Sequence, residues 1–322
     1  MAYGKIRAAR SILLVSHVSP DADAVASVAA MVEIARSAGV PDIYAYIFNK
    51  PSGAFDFIPN DLVIVPTPPA DLSRFDVMVV MDCGSLSRTS LAAEVSAIAD
   101  KTPRPYIIEL DHHQPQDAYA DLEIRLPDKA STTEVIYDFL RANNLEVTKI
   151  LANCIFIGLV TDTGHFFHAN SSREALAAAS EMLLHGASLP RIISHTVNNK
   201  NFLTLKVWGR VLDNMVFNPS TGLLTSALSA EELREVATGD ALSANFDLFG
   251  DIVSFLSTLS GVRVALLLRE EGNRVKGSLR TNYDDVDVAA VARGFGGGGH
   301  KKAAGFSLDG KLIKTERGWT VR

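Results

Sequence analysis

The chain has 322 residues, of which 47% are hydrophobic and 21% charged, and its formal net charge is −6. This composition excludes disordered, collagen-like and charge-run proteins, and the length predicts two domains. The acidic balance argues against a protein that coats long duplex DNA. The chain has two cysteines, Cys83 and Cys154. Because two are too few for a disulfide framework, we expect buried thiols in a reducing compartment.

We expect neither a signal peptide nor a membrane partner. The apolar run from Ile12 to Val15 is interrupted at once by Ser16, His17 and Pro20. The longest near-apolar stretch, Ile150 to Val160, falls well short of the roughly 18 residues that span a bilayer. The sequence therefore predicts a cytoplasmic protein.

Short β-type runs alternate with helical patterns through residues 1–190. This alternation predicts an α/β domain with a parallel sheet and helices on both faces. Strands are predicted at 10–16, 43–48, 75–81 and 106–110. Helices are predicted at 24–37, from a capping box at Ser131 to about Arg141, at 149–160, and from a second capping box at Ser171.

The pattern changes beyond this domain. Residues 191–218 are interpreted as a connector, and residues 219–322 as a smaller α+β domain. In that domain strands are predicted at 222–228, 263–269 and 274–280, and helices at 230–237, 249–257 and 286–295.

Acidic and imidazole side chains follow several of the predicted strands, at the sheet edge where open α/β folds bind ligands. The side chains concerned are His17, Asp21, Asp23, Asp82, Asp111, His112 and His113, and the predicted helix 149–160 leads to Asp162. Considered by itself, the loop that contains Asp21 and Asp23 has a purely structural explanation, in which Asp23 caps the following helix and Asp21 lies on the surface. The recurrence at neighbouring strand ends favours a site, because so many carboxylates repel one another unless cations lie among them.

Mixed aspartate and histidine ligands suit first-row divalent cations better than magnesium. Manganese ranks first, with cobalt, iron, zinc or magnesium as alternatives. Four aspartates and two divalent cations carry a formal charge near zero, so a bridging water is expected to lose its proton at neutral pH. Two such cations about 3.5 to 4 Å apart clamp the attacking and leaving oxygens of an in-line displacement at phosphorus.

Four segments carry these side chains: the loop from His17 to Asp23, the residue Asp82 after its strand, the triplet at 111–113, and Asp162. They resemble the motifs of the DHH phosphoesterase superfamily, which is named after that triplet. The segment 296–305 (GGGGHKKAAG) resembles the signature of its DHHA1 C-terminal domain. Family members of similar length are small oligoribonucleases that also remove the 3′-phosphate of 3′-phosphoadenosine 5′-phosphate, and some hydrolyse linear or cyclic dinucleotides. The resemblance implies a two-metal phosphoesterase that uses a bridging hydroxide on short oligonucleotides or nucleotide phosphates, in a cleft between two domains.

The resemblance also implies a role for each motif residue. One metal would be held by His17, Asp21 and Asp82, and the other by Asp23, Asp82, His112 and Asp162, so that Asp82 bridges. Asp111 would orient a histidine. His113 would face the scissile phosphate as a donor or help to protonate the leaving oxygen.

The C-terminal domain would bind the substrate. The resemblance makes Arg280 a phosphate clamp, and four glycines leave backbone N–H groups able to turn towards an anion. The residues expected to contact substrate there are Gly297, Gly298, Gly299 and His300. Taken alone, this glycine run is more simply a flexible hairpin tip with a surface histidine.

Two other functions stay open. One is a manganese-dependent inorganic pyrophosphatase or exopolyphosphatase, whose catalytic domain shares the first four motifs. The resemblance implies that such an enzyme has a different C-terminal domain. The other is a nucleotide-sensing protein that keeps the pocket but has lost catalysis. Such a loss usually removes a metal-ligating residue, and none of those residues is missing from this sequence. The sequence also leaves open the oligomeric state, with a homodimer as one option, and whether His165 and His168 contact substrate or are simply exposed.

Overall fold

The structure, a computed structural model, describes residues 1–48, 55–58, 64–114, 117–196, 202–236, 248–249, 252–315 and 318–322. The chain divides into two compact units, Met1–Asn198 and Asn199–Arg322. The predicted connector at 191–218 stays a proposal. Its described residues include the end of one helix, a second helix and a short strand.

The first unit is built on a five-stranded sheet within the described residues, in the order β2-β1-β3-β4-β5. Every neighbouring pair of strands is parallel. The strands are β1 (Ser11–Val15), β2 (Asp42–Tyr46), β3 (Val77–Met81), β4 (Tyr106–Asp111) and β5 (Leu122–Arg125). The helices are α1 (Ala2–Ala8), α2 (Ala22–Ser37), α3 (Ala92–Ile98), α4 (Thr132–Ala142), α5 (Lys149–Asp162), α6 (Arg173–Leu184) and α7 (Leu189–Thr196).

Both faces of this sheet are buried, which is why its strands are continuously apolar. In β1, Ile12 and Leu14 belong to one core, which contains residues of α2, α4, α5 and α6. Leu13 and Val15 point to a second core, on the other face, together with Leu91 and residues of α3. The predicted parallel sheet with helices on both faces is confirmed.

The second unit contains a six-stranded mixed sheet in the order β10-β11-β9-β8-β7-β6, and a separate two-stranded sheet, within the described residues. Its strands are β6 (Val216–Asn218), β7 (Leu223–Leu228), β8 (Val264–Glu271), β9 (Arg274–Arg280), β10 (Gly298–His300), β11 (Ala303–Asp309), β12 (Leu312–Thr315) and β13 (Gly318–Val321). Its helices are α8 (Phe202–Asp213), α9 (Ala230–Val236), α10 (Ile252–Ser257) and α11 (Val288–Arg293). This is the predicted α+β arrangement.

One further feature is the state of the two cysteines. Cys83 and Cys154 are both buried free thiols, as predicted. Among the helices that the structure describes, none combines the length and the apolar character that crossing a bilayer requires.

Candidate metal centre

Three adjacent strands bring the predicted residues to one edge of the first sheet. In β1 and β3, Val15 pairs with Val80, and in β3 and β4, Met81 pairs with Leu110, so the carboxyl ends of the strands are aligned. His17, Asp82 and His112 each follow one of these ends by one or two residues. The alignment of parallel strands therefore places residues that are distant in sequence beside one another.

The loop after β1 contributes His17 and Asp21. The buried His17 donates a hydrogen bond from Nδ1 to the Val18 carbonyl (2.9 Å), and its Nε2 lies 3.7 Å from Asp82 Oδ2. In the neutral ring this hydrogen bond places the proton on Nδ1 and leaves the lone pair on Nε2, the atom nearest Asp82. Asp21 accepts a hydrogen bond from the Ala24 backbone N–H (3.0 Å) and caps α2, so the cap is Asp21 and not Asp23.

Asp82 lies at the middle of the cluster in a left-handed backbone conformation, with φ of 59°. Non-glycine residues rarely adopt this region, and aspartate is among those that tolerate it best. The carboxylate is buried and accepts a hydrogen bond from the Thr132 hydroxyl (2.9 Å). Imidazoles of His17, His112 and His113 all lie within 3.7 Å of its oxygens. A bridging position between two cations fits this placement.

Asp111 holds His113. Its Oδ1 accepts hydrogen bonds from the His113 backbone N–H (2.8 Å) and from His113 Nδ1 (2.7 Å). Its Oδ2 accepts from the backbone N–H groups of Cys83 (2.9 Å) and Gly84 (2.6 Å). Burial raises the pKa of Asp111, but these hydrogen bonds and the charge of the His113 ring have the larger effect. The pKa of Asp111 therefore lies below its ordinary value. The sequence-based role of Asp111 as the group that orients a histidine stays a proposal, and this geometry supports it.

His112 and Asp162 form another part of the cluster. His112 donates from Nδ1 to the Lys129 carbonyl (3.2 Å), and its Nε2 lies 3.3 Å from Asp162 Oδ2 and 3.6 Å from Asp82 Oδ1. Burial lowers the pKa of His112, but the charges of Asp162 and Asp82 outweigh it and raise the pKa to about 9. Asp162 is the last residue of α5, where the helix dipole is negative and favours a cation.

Asp23 binds the start of another helix. Its carboxylate accepts hydrogen bonds from the backbone N–H groups of Thr132 (2.7 Å) and Thr133 (3.1 Å), the first residues of α4. These donors and the positive end of the helix dipole stabilise the anion. Burial and then repulsion by Asp82 act in the opposite direction and raise the pKa of Asp23 to about 7. Positive charge beside Asp23 would lower that pKa again.

The donor atoms fall into overlapping sets. In each of three sets within the first unit, the potential ligand atoms lie within 4.8 Å of one another. The sets are His17, Asp21 and Asp82; Asp23, His112 and Asp162; and Asp82, Asp111 and His113. Imidazole nitrogen together with carboxylate oxygen is a donor set for first-row divalent cations. The residues present therefore fit a metal centre.

The predicted substrate residues Arg280, Gly298, Gly299 and His300 lie on one sheet of the second unit, and Gly297 directly precedes its strand β10. Arg280 and His300 are both register partners of Ala303, from the strands on either side of β11. Partners in register point to the same face, so Arg280 and His300 flank Ala303 on one face. Arg280 donates a hydrogen bond to the Leu279 carbonyl (2.9 Å).

The glycine run is partly a strand, not a hairpin tip. Gly298 and Gly299 belong to β10, which pairs antiparallel with β11. A Cβ atom on Gly297 would lie 2.1 Å from the Gly305 carbonyl oxygen, and one on Gly299 would lie 2.5 Å from the Ala303 carbonyl oxygen. These glycines therefore allow two backbones to approach closely.

His165 and His168 lie in a turn directly after α5. Gly164, His165 and Phe166 all have positive φ angles, between 55° and 65°. His165 Nε2 hydrogen-bonds with the Thr196 hydroxyl (2.8 Å), and His168 donates to the Asp162 carbonyl (3.3 Å). Both histidines thus have structural contacts in the first unit, and a contact with substrate stays a prediction.

Three further residues shape the centre and are not marked as functional by the sequence. Thr132 and Thr133 supply hydrogen bonds to Asp82 and Asp23, and Gly158 of α5 packs against Asp23. The capping box from Ser131 to Glu134 was a signal for the start of α4, but it carried no sign that the helix start faces a carboxylate.

Comparison with known proteins agrees with these observations. Residues 11–159 match the DHH family, N-terminal domain, and residues 235–316 match the DHHA1 domain. Bifunctional oligoribonuclease and PAP phosphatase NrnA of Thermus thermophilus is 27% identical over 93% of this chain and 84% of that protein. The Bacillus subtilis protein of the same name is 22% identical over 92% of this chain and 89% of that protein.

A solved structure has a similar fold. It is an exopolyphosphatase-related protein from Bacteroides fragilis, with 26% identity and a TM-score of 0.82. The similarity covers 96% of this chain and 90% of that one. It extends through both units.

Proposed function

We propose that this chain, which belongs to the DHH/DHHA1 family of metal-dependent phosphoesterases, hydrolyses short single-stranded oligonucleotides and nucleotide phosphates such as 3′-phosphoadenosine 5′-phosphate. The relatives named as oligoribonuclease and PAP phosphatase support this choice of substrates. An acidic chain with a formal net charge of −6 suits short substrates better than long duplex DNA.

The observation that carries the proposal is the junction of two ligand sets at Asp82. The first set, His17, Asp21 and Asp82, is joined to the second by the 3.6 Å approach of His112 Nε2 to Asp82 Oδ1. We assign the two divalent cations to these sets, with Asp23 and Asp162 completing the second. When bound, such cations act as Lewis acids and lower the pKa of water to near neutrality. Manganese ranks first for this mixed donor set.

The chain's own residues supply orientation and a proton. Asp111 fixes the His113 ring through its Nδ1 proton, so that Nε2 points away from Asp111. We assign to His113 the donation of a hydrogen bond to the phosphate or of a proton to the leaving sugar oxygen. Protonation of a poor leaving group by a positioned imidazole typically accelerates a reaction 10²- to 10⁴-fold.

The second unit would bind the remaining phosphate. Arg280 carries a permanent charge that suits bidentate recognition of phosphate, and His300 lies on the same sheet face. We expect Gly297, Gly298 and Gly299 to contribute by close backbone approach. A homodimer is the oligomeric state we propose to test alongside.

A product assay tests the function. The panel contains di- to pentanucleotides, 3′-phosphoadenosine 5′-phosphate, cyclic dinucleotides, pyrophosphate and polyphosphate, each with manganese and with magnesium. We expect mononucleotides or free phosphate from the short nucleotides, with manganese giving the higher rate. Faster release from pyrophosphate or polyphosphate would instead assign a pyrophosphatase or exopolyphosphatase. Tight nucleotide binding without any turnover would assign a sensor.

Two variants separate chemistry from binding. Asp82→Ala removes the bridging carboxylate, and we expect kcat to fall at least roughly 100-fold. Arg280→Ala removes a phosphate contact, and we expect mainly a higher KM. Substantial manganese-dependent activity in Asp82→Ala would contradict the assignment of the bridge.

A further inference from the structure

A buried ion pair lies near His113, and the mechanism above does not use it. Arg125 of β5 donates from one terminal nitrogen to both carboxylate oxygens of Glu109, at 2.6 Å each. Tyr119 donates its hydroxyl proton to the same carboxylate (2.7 Å). The side chains of Arg125 and Glu109 are 5% and 0% exposed. Moving two charges out of water is costly, so such a pair is weak support for stability by itself.

The other terminal nitrogen of Arg125 reaches the backbone around His113. It donates to the Gly84 carbonyl (3.3 Å) and to the Gln114 carbonyl (3.4 Å). Gln114 is the next residue after His113. Gly84 packs under the imidazole, because a Cβ atom at that position would lie 3.3 Å from His113 Cγ. Arg125 therefore ties together the two backbone segments that flank the His113 ring.

The register explains why these groups meet. Asp111 and Arg125 are partners in neighbouring strands, and Glu109 lies two residues before Asp111, so all three side chains project from the same face of the sheet. Asp111 accepts from the Gly84 N–H while Arg125 donates to the Gly84 carbonyl. Both sides of this left-handed glycine, with φ of 66°, are thus held by buried charges.

We propose that Arg125, oriented by Glu109 and Tyr119, is a positioning residue that fixes the His113 ring through the carbonyls of Gly84 and Gln114. The proposal rests on the proposed function, since it concerns the proton-donating role assigned to His113. It extends that function to three residues that none of the DHH motifs contains. The predicted metal ligands lie outside this network, so loss of the network should impair leaving-group protonation more than metal binding.

The test compares two substrates that differ in their need for a proton. One is a dinucleotide, whose sugar oxygen is a poor leaving group. The other is the p-nitrophenyl ester of a nucleoside 5′-phosphate, whose phenolate leaves without protonation. The variants are Arg125→Met, Arg125→Lys, Tyr119→Phe and the double variant Glu109→Met with Arg125→Met. The double variant replaces the pair with apolar groups, a change that folded proteins often tolerate.

For Arg125→Met and the double variant, we expect kcat on the dinucleotide to fall about 10- to 100-fold, as for other groups that orient a catalytic residue. The p-nitrophenyl ester and the calorimetric dissociation constant for manganese should change by less than about threefold. Arg125→Lys should restore part of the loss because it keeps the charge. Tyr119→Phe, which removes one oxygen, should show a smaller loss on the dinucleotide alone.

Arg104→Met is the matched control. Arg104 forms a comparable two-pronged pair with Asp121, at 2.7 and 2.6 Å, at the other end of β4 and β5. Its removal should leave both substrates unaffected. Equal losses on both substrates, weakened manganese binding, or unchanged rates in the folded Arg125 and Tyr119 variants would overturn the proposal. Absence of manganese-dependent hydrolysis by the unaltered protein would instead overturn the proposed function.

Discussion

Gly158 shows how closely the centre is packed at the scale of single residues. It lies inside α5, where a Cβ atom would be 2.1 Å from Asp23 Oδ1 and 2.1 Å from the Thr133 hydroxyl oxygen. Glycine usually costs helix stability relative to alanine. Here the missing side chain lets α5 approach the carboxylate and the start of α4.

Gly158→Ala should therefore displace Asp23. Because the methyl group overlaps a carboxylate and a hydroxyl, we expect a loss of about 1–3 kcal/mol in the free energy of unfolding. We also expect at least about tenfold weaker manganese binding. Urea denaturation in a chelator and calorimetric titration measure the two effects. Gly209→Ala is the control, since a Cβ atom there meets nothing within 4 Å and alanine should stabilise α8. Parental manganese affinity in Gly158→Ala would contradict the packing argument.

The acidic and imidazole residues of the centre could be predicted from the sequence, but the residues that position them could not. Asp82 and His112 could be predicted because they follow apolar strands that share one edge of a parallel sheet. Thr132 and Gly158 could not, because a hydroxyl on a helix start and a glycine within an apolar helix carry no local sign of what packs against them. Glu109 and Arg125 are distant in sequence, and only the register of β4 and β5 brings them together.

At the scale of elements, the start of α4 serves both the helix and the site. Ser131 caps the helix by accepting a hydrogen bond from the Glu134 N–H (3.1 Å), and Glu134 accepts one from the Ala130 N–H (2.7 Å). The backbone N–H groups of Thr132 and Thr133, which follow Ser131, donate hydrogen bonds to Asp23. Fraying of this first turn would release the carboxylate.

Ser131→Ala should lower the free energy of unfolding by about 1 kcal/mol, as loss of a helix cap usually does. It should also weaken manganese binding several-fold, since the capped turn positions Asp23. Ser172→Ala is the matched control, because Ser172 caps α6 through the Ala175 N–H (3.0 Å). Thermal denaturation should show similar losses for both variants, and titration should show weaker binding for Ser131→Ala alone. Equal manganese affinities in the two variants would show that the Ser131 cap does not position Asp23 for metal binding.

The entry to β4 and β5 gives a pH-dependent contribution to stability. Hydrogen bonds from Arg104 lower the pKa of Asp121 below its ordinary value of 3.8. A lowered pKa in the folded state means that the stabilisation is complete above pH 3.8 and is lost as the pH falls through the folded pKa. We expect Arg104→Met to destabilise the protein at pH 7 by roughly 0.5–1 kcal/mol, since the pair is partly exposed. Urea denaturation should show a constant difference above pH 3.8 that shrinks as the pH falls below 3.8, and a difference that stays constant at the lower pH would contradict the assignment.

Strands with apolar runs were predicted, including the edge strand β2, whereas strands of mixed composition such as β5, β10 and β11 were not. The buried strands β1, β3 and β4 gave continuous apolar runs, and the box at Ser131 marked the start of α4. The strand β5 has only four residues of mixed polarity, and β10 contains glycines that propensity assigns to a loop. Pairing with a neighbour, which a single segment does not encode, makes both of them strands.

At the scale of the whole molecule, the predicted metal ligands all belong to the unit Met1–Asn198, whereas Arg280 belongs to the unit Asn199–Arg322. Binding of manganese to the folded ligand sets should stabilise the protein by about 2.7 kcal/mol at a concentration 100 times the dissociation constant. Scanning calorimetry should therefore show a higher unfolding temperature with manganese and its reversal by a chelator. Asp82→Ala should lose most of this shift, because its neighbours no longer share a bridging carboxylate. Arg280→Ala should keep the full shift while its KM for nucleotide rises, and an equal shift in both variants would place the stabilising cations elsewhere.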